Sequence, residues 1–178
     1  MNELTPSVSE LDHHRGPLDA PSVLVQFGDY ECPDSAAVHP LVQQLIAEAA
    51  DQICFVYRHF PLSDIHRNAE PAAEAVEAAH TQGRFWEMHD ALYENSPALE
   101  LPDLLSYARE LDLDEDRVRA EIRSHLYLPR VQLNIESGLQ TGVHATPTFF
   151  INGVHYLGSY DVESMLEALK VRTGDALS

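Results

Sequence analysis

Short apolar runs alternate with amphipathic stretches in an order that predicts a mixed α/β protein. Residues 22–27 are apolar and β-branched, which predicts a buried strand, and residues 53–60 predict a second one. Between them, apolar positions recur at helical spacing from 33 to 50, with Pro40 expected to kink or weaken the first half of that helix. Strand, helix and strand in this order imply a right-handed parallel crossover.

A long helical region follows the second strand. Its apolar residues recur every three or four positions, which is the period of a helix packed on other helices. Asp114 stands where it would cap one of these helices through its side chain. We predict five helices here, at residues 71–82, 84–95, 101–111, 114–125 and 129–141.

The chain then returns to strand. Residues 148–151 and 154–157 flank Asn152-Gly153, and this dipeptide between β-rich runs predicts a tight hairpin. Asp161 is placed to cap a last amphipathic helix, and residues 173–178 are expected to fray. The predicted organisation is a mostly irregular arm (1–21), a sheet domain (22–64 and 142–178) and an inserted helical domain (65–141).

Composition narrows the classes of partner. The chain has 178 residues, enough for a sizeable core, and 29 acidic residues against 11 basic ones give a net charge of -18. A surface of this sign repels a phosphate backbone, so we expect no nucleic-acid partner. The sequence has no apolar run of membrane-spanning length, and its beginning lacks the apolar centre of a signal peptide, so we expect no membrane partner and a cytoplasmic location. The sequence does not indicate an oligomeric state.

The two cysteines occupy different settings. Cys32 begins the motif Cys32-Pro33-Asp34-Ser35 at the strand–helix junction, where the N–H groups and dipole of the helix favour a thiolate. Thiol–disulfide enzymes carry Cys-x-x-Cys at such a junction, but here Ser35 takes the second position. Cys54 lies near the start of the next strand, roughly 15–20 Å from the strand end that faces the motif. A disulfide needs Cα atoms within about 7 Å, so we predict that Cys54 is an inert core thiol.

Four sequence segments together resemble the DsbA-like branch of the thioredoxin superfamily. They are Phe-Gly-Asp-Tyr-Glu-Cys-Pro at 27–33, Tyr-Arg-His-Phe-Pro-Leu at 57–62, Phe-Trp-Glu-Met-His-Asp at 85–90, and the stretch at 142–153 that contains Thr146-Pro147. The resemblance implies a thioredoxin-like fold with an inserted all-helical domain. It also implies a cis bond between Thr146 and Pro147, whose backbone would pair with an extended substrate peptide beside Cys32.

The resemblance further implies a one-thiol chemistry. Many relatives carry a glutamate at the position of Gln26 that exchanges a proton with the second cysteine, and Gln26 together with Ser35 indicates that dithiol turnover was abandoned. Cys32 would form mixed disulfides with a cysteine-containing peptide or protein, or with glutathione as co-substrate, and no other cofactor is expected. We predict Cys32 and Ser35 as catalytic residues, and Tyr30, Pro33, Asp34, His144, Thr146 and Pro147 as residues that bind substrate or shape the site.

Other readings of the sequence remain open. The chain could be a binding module that uses the same groove without catalysis, or a glutathione-dependent transferase or isomerase, because such relatives share the inserted-helix architecture. His144 could donate a proton near Cys32 or be an ordinary loop residue. Two sets of potential metal ligands lack an established spacing, and we predict no metal site: His59, Asp64, His66 and Glu70, or His80, Glu87 and His89.

Overall fold

A computed structural model describes residues 3–170 and shows a five-stranded sheet with helices on both sides. The predicted frayed tail at 173–178 lies outside the described residues. The elements in chain order are β1 (His13–Arg15), β2 (Ser22–Gly28), α1 (Pro33–Ala49), a 3-10 turn (Ala50–Gln52), β3 (Ile53–His59), α2 (Ala69–His80), α3 (Phe85–Glu94), α4 (Leu101–Glu110), α5 (Glu115–Arg123), α6 (Leu128–Thr141), β4 (Thr148–Ile151), β5 (Val154–His155) and α7 (Val162–Ala168).

The sheet confirms the predicted α/β class. Its strand order is β1-β3-β2-β4-β5, with β2 and β3 parallel and the other neighbours antiparallel. The parallel register pairs Ser22 with Ile53 at one end and Gly28 with His59 at the other. The carboxyl ends of both central strands therefore lie at the same edge, and the loop that carries Cys32 leaves from that edge.

The predicted caps and hairpin are present. The Asp114 carboxylate accepts a hydrogen bond from the Arg117 N–H at 3.0 Å, and that of Asp161 accepts one from the Ser164 N–H at 2.8 Å. Asn152 and Gly153 both have positive φ, 49° and 81°, as a two-residue hairpin of the primed type requires. The helix α1 runs unbroken through Pro40, so the expected weakening does not interrupt it.

The arm is more ordered than its sequence indicates. Residues His13–Arg15 pair antiparallel with β3 and form an edge strand. Three residues are too few for periodicity to reveal a strand, and this one is held by its tertiary contacts. Its side chains include that of His13, which is buried.

The sheet separates two apolar cores. Leu24 and Phe55 face the larger core, which the inserted helices and α1 complete. Val25 and Val56 face the smaller core, where Cys54 is also fully buried. Alternate residues of β2 and β3 thus face opposite sides, and because both sides are covered their sequences read as continuous apolar runs.

Candidate functional site

Cys32 is the N-cap residue of α1. Its backbone is extended, with φ -71° and ψ 120°, and its carbonyl accepts the first helical hydrogen bond, from the Ala36 N–H at 3.0 Å. Pro33 follows at the first helical position, where its fixed φ suits the helix and its missing N–H has no cost. The sulfur of Cys32 therefore lies at the positive end of a 17-residue helix, with the residue only 6% exposed.

The Cys32 thiol faces the Thr146–Pro147 peptide. That bond is cis, and the Cys32 Sγ donates to the Thr146 carbonyl oxygen at 3.3 Å. Thr146 is buried and Pro147 is half-buried. The structure thus brings together residues 114 positions apart in the sequence.

A groove extends from this contact along α1. A cavity of about 330 Å³ is bordered by Asp34, Thr146 and Pro147, together with Ala37, Val38 and Tyr160. Pro33 and Asp34 are exposed, and the Tyr160 hydroxyl donates to the Pro147 carbonyl at 3.3 Å. Tyr160 was missed in the sequence because it lies in the loop after the hairpin, where no motif marks it.

The carboxylate of Asp29 holds the Cys32 loop in place. Its Oδ1 accepts from the backbone N–H groups of Glu31 at 2.8 Å and Cys32 at 3.2 Å. Its Oδ2 accepts from the Leu62 N–H at 2.9 Å and lies 2.8 Å from the His66 Nδ1. The side chain is fully buried, so these partners replace its hydration. The residue lies within the motif at 27–33, but the sequence did not show that it anchors the loop.

Ser35 is fully buried one helical turn into α1. Its hydroxyl has no hydrogen-bond partner of good geometry among the described residues, although it approaches the Tyr93 phenol closely enough to oppose the rise of that pKa. Burial is the main influence on Tyr93 and raises its pKa strongly, so this phenol stays protonated. Gln26 is also buried, and its Nε2 has no partner among the described residues.

Tyr30 does not border the cavity beside Asp34 and Thr146. It is 1% exposed, and a 2.8 Å hydrogen bond joins its hydroxyl to the His89 Nδ1. Its ring packs against those of Tyr57 and Tyr93. Tyr30 packs against the interior side of the Cys32 loop. Burial of its large apolar ring stabilises the fold more than exposure to solvent would.

His144 lies in the loop between α6 and β4 and is exposed. It therefore remains accessible to a ligand, two residues before Thr146. The potential ligands weighed in the sequence are dispersed: His66 pairs with Asp29, whereas His59 pairs with Glu77 on α2. The four residues His59, Asp64, His66 and Glu70 do not form one ligand group in residues 3–170.

Cys54 lies far from this site along β3. It pairs in register with Val23, near the opposite end of the strand from His59, and burial raises the pKa of its thiol. Both cysteines are free. The prediction of a core thiol at position 54 is confirmed by its complete burial in the smaller core.

Cys32 lies at the N-cap of the helix that follows a central strand, and it faces a cis-proline loop. Five helices are inserted between β3 and β4. These features define the DsbA-like class of thioredoxin folds. A family model described as thioredoxin matches residues 9–171, and the chain belongs to the thioredoxin family. No helix within residues 3–170 is both long and apolar enough to cross a membrane.

Several solved structures share this fold. BdbD from Bacillus subtilis superposes with a TM-score of 0.81 at 19% identity, over 89% of this chain and 91% of that one. A thioredoxin-like oxidoreductase from Silicibacter pomeroyi gives a TM-score of 0.77 at 24% identity, over 91% and 92%. At these sequence identities, the similarity between the proteins concerns the fold alone.

Relatives closer in sequence are much longer proteins. The chain is 42% identical over 166 residues to a protein of Salinispora arenicola named Na(+)/H(+) antiporter NhaA 1, with 93% of this chain and 25% of that protein covered. A protein of Herminiimonas arsenicoxydans named Na(+)/H(+) antiporter NhaA is 39% identical over 161 residues, with 90% and 25% covered. The chain therefore spans about a quarter of the length of these curated relatives.

Proposed function

We propose that the protein is a monothiol oxidoreductase in which Cys32 exchanges disulfides with a cysteine-containing peptide or protein, or with glutathione. The Cys32 thiolate attacks one sulfur of a disulfide, a new S–S bond forms, and the second sulfur leaves as a thiolate. An external thiolate such as that of glutathione then attacks the mixed disulfide and releases Cys32. The number of disulfides is unchanged in each step, so no further oxidant is needed.

The observation that carries this proposal is the contact of the Cys32 sulfur with the Thr146 carbonyl at the N-terminus of α1. The sulfur lies beside the peptide groups of Thr146 and Pro147, which would pair with an extended substrate peptide. Asp34 borders the same groove, so a basic residue near the substrate cysteine would be favoured there.

A second thiol within the chain is not positioned to resolve the adduct. Ser35 occupies the position that would reach Cys32, and Cys54 is buried at the other end of β3. A mixed disulfide on Cys32 should therefore persist until an outside thiol arrives. This persistence distinguishes a monothiol site from a dithiol one.

The test is incubation of the reduced protein with glutathione disulfide, followed by intact mass measurement. We expect one glutathione adduct per chain, unchanged in Cys54→Ser and absent in Cys32→Ser. Turnover is then measured with a glutathionylated peptide and excess glutathione. An adduct on Cys54, or turnover that survives Cys32→Ser, would contradict the proposal. Adduct formation without any turnover would instead favour a binding module.

The long relatives support a second candidate, in which the domain acts on a membrane antiporter. In these relatives the same domain is part of proteins named as Na(+)/H(+) antiporters, so the two are covalently joined. We propose that a cysteine of such a transporter is a substrate of Cys32. Trapping of mixed-disulfide partners in cells, with Cys32→Ser as control, should enrich a transporter of this type. Enrichment of soluble proteins alone would rule out this candidate.

A further inference from the structure

A buried group of two histidines and a glutamate lies on the side of the sheet that carries the inserted helices. His13 comes from β1, His59 from the end of β3 and Glu77 from α2. The Nε2 atoms of both histidines approach the same atom, Glu77 Oε1, at 2.8 and 2.9 Å. The residues are 7%, 0% and 3% exposed. The disulfide chemistry proposed for Cys32 uses none of them.

We propose that His13, His59 and Glu77 form a binding site for a divalent transition metal ion, with Zn²⁺ as the fitting ion. Two imidazoles and one carboxylate are a donor set that zinc accepts, and it leaves the fourth position of a tetrahedron open. Imidazole donors favour zinc, copper or nickel over calcium and magnesium. The three ligand atoms lie within 4.8 Å of one another.

The geometry needs only small shifts to accept the ion. Zinc bonds of 2.0–2.1 Å in a tetrahedron separate neighbouring ligand atoms by about 3.3 Å. The present separations from Glu77 Oε1 are therefore shorter by about half an ångström, which small side-chain rotations would supply. Each histidine would move its proton from Nε2 to Nδ1. His59 Nδ1 has no hydrogen-bond partner among the described residues, so placing the proton there breaks no existing hydrogen bond of that atom.

The charge states suit metal binding. Burial, only partly opposed by Glu77, lowers the pKa of His13, which favours the neutral ring that can bind an ion. Burial opposes ionisation of Glu77, but the hydrogen bonds from His13 and His59 outweigh it and lower its pKa. Arg130 approaches the same carboxylate at 4.0 Å, so the site retains a nearby positive charge that weakens binding.

A surface cavity gives access to the site. It has a volume of about 360 Å³, and His13 lies in its wall. Glu10 also lines it and would attract a cation. His80 follows Glu77 by one helical turn, and its ring centroid is 4.5 Å from that of His13. His80 is exposed and lines the cavity.

Two other groups of potential ligands are less suitable and provide controls. In the group His39, His89 and Asp90, the carboxylate already binds Arg15 at 2.6 Å, and His89 Nδ1 is used by Tyr30. In the group Glu70, Glu74 and His125, the histidine is exposed. Of the three groups within residues 3–170, the His13 group has three buried ligands from three separate elements, and His13 borders a surface cavity.

The test is titration of the folded Cys32→Ser chain with Zn²⁺ by calorimetry, in which the site thiol does not compete for the ion. We expect one Zn²⁺ per chain and no binding of Ca²⁺. His13→Gln and Glu77→Gln should weaken Zn²⁺ binding by at least about tenfold. His39→Gln and His125→Gln should leave it unchanged. Equal affinity in His13→Gln, or a loss confined to His125→Gln, would overturn the proposal.

A second measurement avoids the risk that a buried variant fails to fold. In the unmutated chain, Zn²⁺ should shift the ring nitrogen resonances of His13 and His59 in ¹⁵N spectra and leave those of His39 and His125 in place. Saturating Zn²⁺ should also raise the melting temperature by roughly 5–10 °C. Unshifted resonances of both His13 and His59 would overturn the proposal whatever the variants do. Neither measurement depends on the activity of Cys32.

Discussion

The sulfur of Cys32 lies 3.3 Å from the carbonyl oxygen of Thr146, as a donor to the peptide that precedes the cis-proline. The contact requires the proton on sulfur, so the thiolate cannot make this hydrogen bond. It also places the reactive atom directly beside the backbone that a substrate strand would use. The other components of the site are arranged around this pair.

The first prediction concerns the position of the missing thiol. Ser35→Cys places a second sulfur one helical turn from Cys32, in a fully buried position, and should allow a disulfide between them. We expect two titratable thiols to disappear on mild oxidation of the folded protein and the glutathione adduct to become transient. The same treatment of Ala37→Cys, on the exposed face of α1, should leave Cys32 free. A stable adduct in Ser35→Cys would show that position 35 does not reach the sulfur.

The second prediction concerns the Asp29 anchor. Asp29→Asn keeps one acceptor oxygen but turns the amide nitrogen toward the Leu62 N–H, so that buried hydrogen bond is lost. The free energy of unfolding should fall by about 1–3 kcal/mol in urea titration. Adduct formation on Cys32 should also slow, because the loop loses its fixed position. Asp34→Asn is the same substitution at an exposed residue of the motif, and it should change the free energy of unfolding by less than about 0.5 kcal/mol.

The third prediction concerns pH. Burial lowers the pKa of His13, His39 and His89 below the ordinary value of 6.5. The folded protein therefore binds fewer protons than the unfolded chain once the pH falls below about 6.5, and its stability declines with falling pH. We expect the free energy of unfolding to drop by at least about 1 kcal/mol between pH 7.5 and 5.5.

The matched variant for this pH effect is His89→Gln, which removes the most strongly shifted of the three groups and should flatten the profile. His125→Gln serves as the control, because His125 is exposed and Glu74 raises its pKa instead. A profile that is flat in the unmutated protein over this range would contradict the prediction.

The fourth prediction concerns the close packing at the end of β2. A Cβ at Gly28 would lie 2.6 Å from the hydroxyls of both Tyr57 and Tyr93, which share a 2.7 Å hydrogen bond. Gly28→Ala should destabilise the fold by about 1–3 kcal/mol through overpacking. Tyr57 Cε2 lies equally close, so adding Tyr93→Phe removes one of three crowding atoms, and the double variant should lose less than the sum of the single changes. If the losses in the free energy of unfolding simply add, the Tyr93 hydroxyl does not contribute to the crowding at position 28.

Much of the fold follows from local pattern. The unit β2–α1–β3, the five inserted helices and the Asn152-Gly153 hairpin match the periodicity and turn chemistry of their own segments. The predicted boundaries differ from the observed ones by a few residues, because helix ends depend on caps and packing. The strand β1 was not predictable, since its three residues are held by pairing with β3 and not by their own propensity.

The sequence by itself determined the alternation of strands and helices, the position of Cys32 at a helix start and the absence of a cysteine at position 35, because these depend on neighbouring residues. Only the tertiary structure decided that Thr146 meets the Cys32 sulfur, that Tyr30 points inward and that His13, His59 and Glu77 converge. These pairings join residues from 18 to 114 positions apart. Their cause is the burial of apolar faces against a common sheet, which no local pattern encodes.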